Sequence, residues 1–132
     1  DISPEENQYE AGLNFAISYK KKNNFIGKEY LLKIKDKKQN KKFVMLSLKD
    51  SVPGSPLLLH EEPIYLEDRI IGRTTSGNYS FNYKKNLSFG YIDSKYSTAD
   101  IMKANLYIEV AKKKYQAMVE FSPLKNKKVR LL

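Results

Sequence analysis

Apolar residues fall at alternate positions through Leu13-Asn14-Phe15-Ala16-Ile17-Ser18-Tyr19, the two-residue repeat of a half-buried strand. Lys20-Lys21-Lys22-Asn23-Asn24 breaks that pattern. Ile26, Tyr30, Leu31 and Ile34 then lie at i, i+4, i+5 and i+8, which predicts a helix from about Gly27 to Asp36. Glu29 in its first turn and Lys33, Lys35 and Lys37 near its end suit the helix dipole. The stretch from Lys37 to Lys42 is a charged connector, and it sets the predicted boundary between residues 1–41 and 42–132.

Beyond the connector the pattern is β. Phe43 to Leu48 reads as a strand with few polar residues, followed by a loop through Pro53-Gly54-Ser55-Pro56. Pro63 to Leu66 and Arg69 to Thr74 flank Glu67-Asp68 as a hairpin, and Leu87 to Ile92 is a further strand. Leu106 to Val110 and Tyr115 to Phe121 form a second hairpin across Ala111-Lys112-Lys113, with Glu109, Gln116 and Glu120 outward. About six short strands with no helix between them must close or stack to hide their edges. The expected fold is therefore mainly β: a small antiparallel Greek-key barrel of about six strands, preceded by one strand and one helix.

Composition narrows the chemistry. The 132 residues are 41% hydrophobic, enough for a core, and they include no cysteine, which removes disulfides, thiolate metal sites and a cysteine nucleophile. His60 is the single histidine, so His-pair zinc sites are excluded. No apolar run is long enough to span a membrane as a helix. The net charge of +9 comes almost wholly from lysine, since Arg69, Arg73 and Arg130 are the only arginines. Lysine suits a solvated face or loose attraction of an anion, whereas specific readout usually leans on arginine. Asp1-Ile2-Ser3-Pro4-Glu5-Glu6 lacks the pattern of a secretory leader and reads as a chain that begins partway through a larger, cytoplasmic protein. In that setting the sequons at Asn78 and Asn86 are chance matches.

No nucleophile elbow, phosphate loop or dinucleotide fingerprint occurs. His60 beside Glu61 and Glu62 fits a loop better than a catalytic triad, and Glu5, Glu6 and Glu10 fit a solvated linker better than a divalent-ion site. Gly72 to Ser80 is expected to run from strand into hydroxyl-rich and glycine turns, as a barrel corner or a ligand-facing turn. Asn23 to Glu29 is a helix start, either anchored by Phe25 or holding an anion with Lys28.

Four segments in order, Tyr9-Glu10-Ala11-Gly12-Leu13-Asn14-Phe15-Ala16, Asn24-Phe25-Ile26-Gly27-Lys28-Glu29, Gly72-Arg73-Thr74-Thr75-Ser76-Gly77 and Phe89-Gly90-Tyr91, carry a resemblance. The chain resembles the C-terminal region of the glycine-cleavage T-protein (aminomethyltransferase) family. In look it is nearest the folate-binding parts of dimethylglycine and sarcosine dehydrogenases. The resemblance implies that residues 1–41 end a folate-binding domain and that 42–132 form the barrel that closes the folate site. It implies a tetrahydrofolate enzyme that takes a one-carbon unit from glycine, dimethylglycine or sarcosine type donors. The family's catalytic aspartate lies outside these 132 residues, so no catalytic residue is expected here and the chain alone is expected to be inactive. FAD is implied only for a further upstream domain. By the same resemblance, Lys20, Lys21 and Arg130 are the candidate cofactor-binding residues, with no metal site. The expected partners are folate and upstream domains of the same polypeptide, with neither membrane nor nucleic acid.

Two other readings stay open on the residues. One is a small basic barrel that stacks single-stranded nucleic acid on Tyr79, Phe81, Tyr83, Phe89 and Tyr91. The other is a non-catalytic docking domain.

Overall fold

The structure, a computed structural model, describes residues 1–121 and 124. After a 3-10 turn at Asn14–Ala16 come a helix α1 (Lys28–Ile34) and strands β1 (Lys41–Leu48), β2 (Pro63–Leu66), β3 (Arg69–Ser80) and β4 (Lys85–Asp93). A helix α2 (Thr98–Lys103) precedes β5 (Leu106–Val110) and β6 (Lys113–Glu120). The strands close into an antiparallel barrel in the order β1-β4-β3-β2-β5-β6. β1 lies beside β4 at the end of the β2-β3-β4 meander, which is the Greek-key arrangement the strand spacing predicts.

The interior follows from alternation. Val44, Leu46 and Leu48 of β1 point inward and meet Ile64, Leu66, Ile71, Ile92, Leu106, Ile108 and Ala117. Leu58, from the loop after β1, enters the same core while its neighbours Leu57 and Leu59 stay exposed. Burying a leucine this fully contributes about 2 kcal/mol.

α2 contradicts the expectation of strands without helices between them. Ser97 accepts a hydrogen bond from the Asp100 amide, and the Asp100 side chain accepts one from the Ser97 amide, a complete capping box. That cap starts a six-residue helix whose Ile101 seats in the barrel core. The stretch from Gly72 to Ser80 also differs, because it is not a turn. β3 runs straight through it and bends at a register shift between Thr74 and Ser76. Gly72 is required there by close approach: a Cβ would sit 2.0 Å from the Tyr91 carbonyl oxygen.

The predicted strand from Leu13 to Tyr19 is the clearest correction. The chain makes a 3-10 turn instead, with Leu13 and Phe15 exposed. A strand needs an edge to pair with, and a closed barrel has none to offer. The predicted helix does form as α1, but only Leu31 of its apolar face is buried, and Ile26, just ahead of the helix, is fully exposed.

Of the acidic cluster Glu5 is exposed as expected, but Glu6 and Glu10 are not solvated. Glu10 is only 6% exposed, and its carboxylate accepts from the amides of Asn7 (3.2 Å) and Asn40 (3.3 Å). Its carbonyl accepts from the Phe43 amide at 2.9 Å, and Glu6 pairs with Lys41. Gln39 adds a third tie, accepting from the Asn7 side chain at 2.9 Å and donating to the Ile34 carbonyl at 3.0 Å. Residues 1–41 are thus fastened to the start of β1 by polar contacts, with little apolar burial beyond Ala11 and Leu31.

Candidate functional site

The outward positions of β1 and β4 are apolar as well, which is unusual for a barrel whose interior is already filled. Phe43 pairs with Tyr91 and Met45 with Phe89 across the β1–β4 ladder. The rings of Phe43 and Phe89 stack at 5.2 Å with an 18° interplanar angle, and Tyr91 tilts against Phe43 at 5.2 Å. Such stacks contribute about 1 kcal/mol each beyond area burial. Phe89 remains 38% exposed and Phe121 44%, so the face is open.

A cleft of 570 Å³ lies on this face, walled by Phe15, Phe43, Met45, Phe89 and Phe121, with Glu120 as its charged group. A second cleft of 470 Å³ shares Met45, Leu87 and Phe89 with it and continues over Ser76, Gly77 and Asn78 of β3. Together they form a groove with an aromatic floor and hydroxyl and amide groups on one side. Glu120 is held by the Ser47 hydroxyl, which donates to it at 3.1 Å.

The electrostatics at one end of the face are built by the N-terminal residues. Lys41 sits over the Tyr91 ring at 5.1 Å while paired with Glu6. Hydrogen bonds from Lys41 and then Ser3 hold the Glu6 carboxyl far below its ordinary range, at about 2. Burial, reinforced by the charges of Glu6 and Glu10, pushes the Tyr91 hydroxyl above its ordinary value. That hydroxyl is buried without a hydrogen-bond partner among the described residues. Nearby, burial lowers the Lys42 ammonium below its ordinary value, and its Nζ donates to the Tyr96 carbonyl at 2.8 Å.

A third cleft, of 610 Å³, lies on the other side of the 3-10 turn. Leu13, Ile17, Phe25, Ile26 and Leu31 line it, and Lys21 stands at its lip. Of the residues expected at a cofactor, Lys21 therefore reaches a cavity, Lys20 is exposed in the adjoining turn, and Arg130 lies outside the described residues. The turn from Leu13 to Ile17 forms the wall between this cleft and the aromatic groove.

Other expected features fall elsewhere. His60 is exposed, Arg73 pairs with Glu61 at 3.0 Å, and Thr74 binds Glu62, so the acids beside the histidine are structural ties. Among the described residues no group of three or more His, Asp or Glu is placed to hold a metal ion. No described helix is long and apolar enough to cross a membrane. Of the aromatic residues considered for base stacking, Tyr79, Tyr83 and Phe89 line the two clefts. Tyr91 is buried, Phe89 lines the groove, and Phe81 stands at the β3–β4 hairpin tip against Tyr79. Sequence reasoning missed the aromatic face itself. Its signal was present in Phe43, Met45, Phe89 and Tyr91, since strands whose outward positions are also apolar are covered on both sides.

Residues 41–125 match the family described as the glycine cleavage T-protein C-terminal barrel domain. An aminomethyltransferase of Listeria welshimeri is 35% identical over 123 residues, 93% of this chain and 31% of that protein. The mitochondrial dimethylglycine dehydrogenase of Homo sapiens is 31% identical over 125 residues, 94% of this chain and 14% of that protein. The chain thus spans less than a third of either relative. Among solved structures, the glycine cleavage system aminomethyltransferase T from Bartonella henselae has the same fold, with a TM-score of 0.75. That likeness covers 93% of this chain and 33% of the other at 21% identity. With the match running through every strand of the barrel, the chain belongs to the glycine cleavage T-protein C-terminal barrel domain family, the C-terminal domain of aminomethyltransferase-type enzymes.

Proposed function

We propose that this chain is the C-terminal portion of a tetrahydrofolate-dependent aminomethyltransferase-type enzyme and that its barrel closes the folate site. The observation that carries the reading is the open aromatic groove on the outer face of β1 and β4. A filled barrel gains nothing from aromatic rings on its outside unless another surface or a flat ligand covers them. Tetrahydrofolate, when bound, supplies the ring nitrogens that accept a one-carbon unit. The residues present fit such a group: stacked rings for its planar part, and Lys21 at the neighbouring cleft for its carboxylates.

In this reading the chain binds and encloses. The groove excludes water from one side of the ligand, while Lys20, Lys21 and Arg130 attract its negative end. The reacting carboxylate comes from upstream domains of the same polypeptide. A flavin domain holding FAD precedes them if the parent resembles the dehydrogenases among the relatives. The setting we propose is cytoplasmic.

The experiment uses the full-length gene product. Folate affinity is compared between the unaltered protein, Lys21→Ala and Arg130→Ala by calorimetric titration. A loss of about tenfold in either variant, the weight of one charge-assisted contact, is expected. Unchanged affinity in both removes these residues from the site. Absence of any folate binding removes the reading itself.

A further inference from the structure

We propose that the cleft between α2 and the end of β6 is a second ligand site, which takes a small aliphatic carboxylate. It shares no lining residue with the aromatic groove and is independent of what fills that groove.

The cleft arises because two neighbouring strands stop at different levels. β5 begins at Leu106, opposite Ala117, while β6 runs on to Glu120 along β1. Beside Met118 and Val119 the end of α2 stands where a strand would continue, and a cleft of 350 Å³ is left between them. The backbone at this point is only half used. The Gln116 carbonyl accepts from the Lys49 amide at 2.9 Å, on the β1 side. Backbone groups alternate in direction along an antiparallel strand, so Val119, three residues on, turns its amide and carbonyl toward α2. That amide has no acceptor among the described residues. One residue is too little edge to seat a strand, but it adds a donor to the cleft.

The side chains complete a mixed lining. Lys49 and Lys103 both face the cleft, and no described carboxylate lines it. Neither lysine makes an ion pair among the described residues. Asp100, one turn before Lys103, has its carboxylate taken by the Ser97 amide at 3.0 Å and the Ser97 hydroxyl at 2.6 Å. The apolar part of the lining comes from Met102 and Met118, 74% and 38% exposed, over the buried Leu106 and Ala117. Methionine is flexible and polarizable, so it moulds to a hydrocarbon of irregular shape. Gln116 donates to Asn105 at 3.4 Å and ties β6 to the residues after α2.

This lining selects its ligand by what each candidate would waste. Two ammonium groups and an amide ask for one anionic acceptor, while the thioethers ask for a short hydrocarbon beside it. An inorganic anion leaves the methionines unused, and a neutral hydrocarbon leaves the lysines unpaired. An aliphatic carboxylate satisfies both.

The test is methionine-methyl magnetic resonance on the full-length gene product, with sodium hexanoate as the ligand. Met45 lines the aromatic groove and Met102 and Met118 the proposed site, so the methyl groups report on the two places separately. Replacement of each by leucine assigns its signal. Met102 and Met118 are expected to shift saturably, with a half-point on the order of 1 mM for a ligand of this size, while Met45 stays in place. Lys49→Gln and Lys103→Gln are each expected to weaken hexanoate about fivefold, and an unmoved Met45 signal shows that the barrel is intact. 1-Hexanol and inorganic phosphate are expected to bind at least about fivefold more weakly than hexanoate. The proposal is overturned by shifts that do not saturate, by a response at Met45 alone, or by hexanoate affinity unchanged in both lysine variants. Equal affinity for hexanol or for phosphate overturns it too, since the site would then not be reading a carboxylate on a hydrocarbon.

Discussion

Glu6 and Glu10 show how much depends on single side chains where apolar burial is thin. Glu6 titrates at about 2 because Lys41 and Ser3 hydrogen-bond its charged form, against an ordinary value of 4.5. A carboxyl with a depressed folded-state pKa adds stability above its unfolded value and loses it as pH falls toward its folded one. Urea midpoints are therefore expected to fall between about pH 4.5 and pH 2, and Glu6→Gln is expected to flatten that part of the profile. An unchanged profile in the variant would show that the ion pair does not couple to folding. Gly72 is the steric counterpart. A methyl there meets the Tyr91 carbonyl oxygen at 2.0 Å, and backbone cannot yield as a flexible side chain does. Gly72→Ala is expected to cost about 1–3 kcal/mol in chemical denaturation. Neither role is visible locally in the sequence. The glutamates look like a solvated run, and the glycine looks like a turn, because the partners of both come from distant positions.

At the scale of elements, the β5–β6 hairpin shows local chemistry working against the fold. Ala111 and Lys112 are both in the left-handed region, at φ 49° and 64°. Two such residues between paired strands make the turn that asparagine and glycine adopt most easily. The double change Ala111→Asn, Lys112→Gly is expected to raise stability by about 1 kcal/mol, read as a higher thermal midpoint. A lower midpoint would mean that Lys112 makes a contact that offsets its strain. The hairpin was legible despite this, because Leu106 and Ile108 alternate with polar residues and face Ala117 and Tyr115 in register. α2 was legible too, through Ser97 and Asp100 at capping-box spacing, but it was overlooked because six residues show almost no helical period. The strand from Leu13 to Tyr19 is the reverse case, a clean pattern without the partner that would make it a strand.

The whole molecule separates into a self-sufficient barrel and surfaces that it does not use. Leu46 is fully buried, and Leu46→Ala is expected to cost about 2–5 kcal/mol. Phe15 is 83% exposed, and Phe15→Ser in the same chain is expected to change stability by less than about 0.5 kcal/mol. Denaturant titration of both variants checks the contrast, and a large cost for Phe15→Ser would mean that the turn packs on the barrel more tightly than its exposure implies. Phe15, Ile26, Tyr30 and Leu32 leave apolar surface open on the N-terminal segment and Phe89 on one barrel face, while Val52, Leu57, Leu59, Ile70, Phe81 and Met102 are open elsewhere.

Alternation and turn residues, which are local properties, were enough to specify six strands and the helix α1, while four short motifs in order carried the family resemblance. They could not specify which strands are neighbours, that a hydroxyl-rich stretch continues as β3, or that Glu10 is buried against Asn40. Those outcomes depend on pairings between residues far apart in the chain. Closure decided the rest: once β1 and β6 meet, every strand has a neighbour on each side, so an apolar stripe left outside must take a turn.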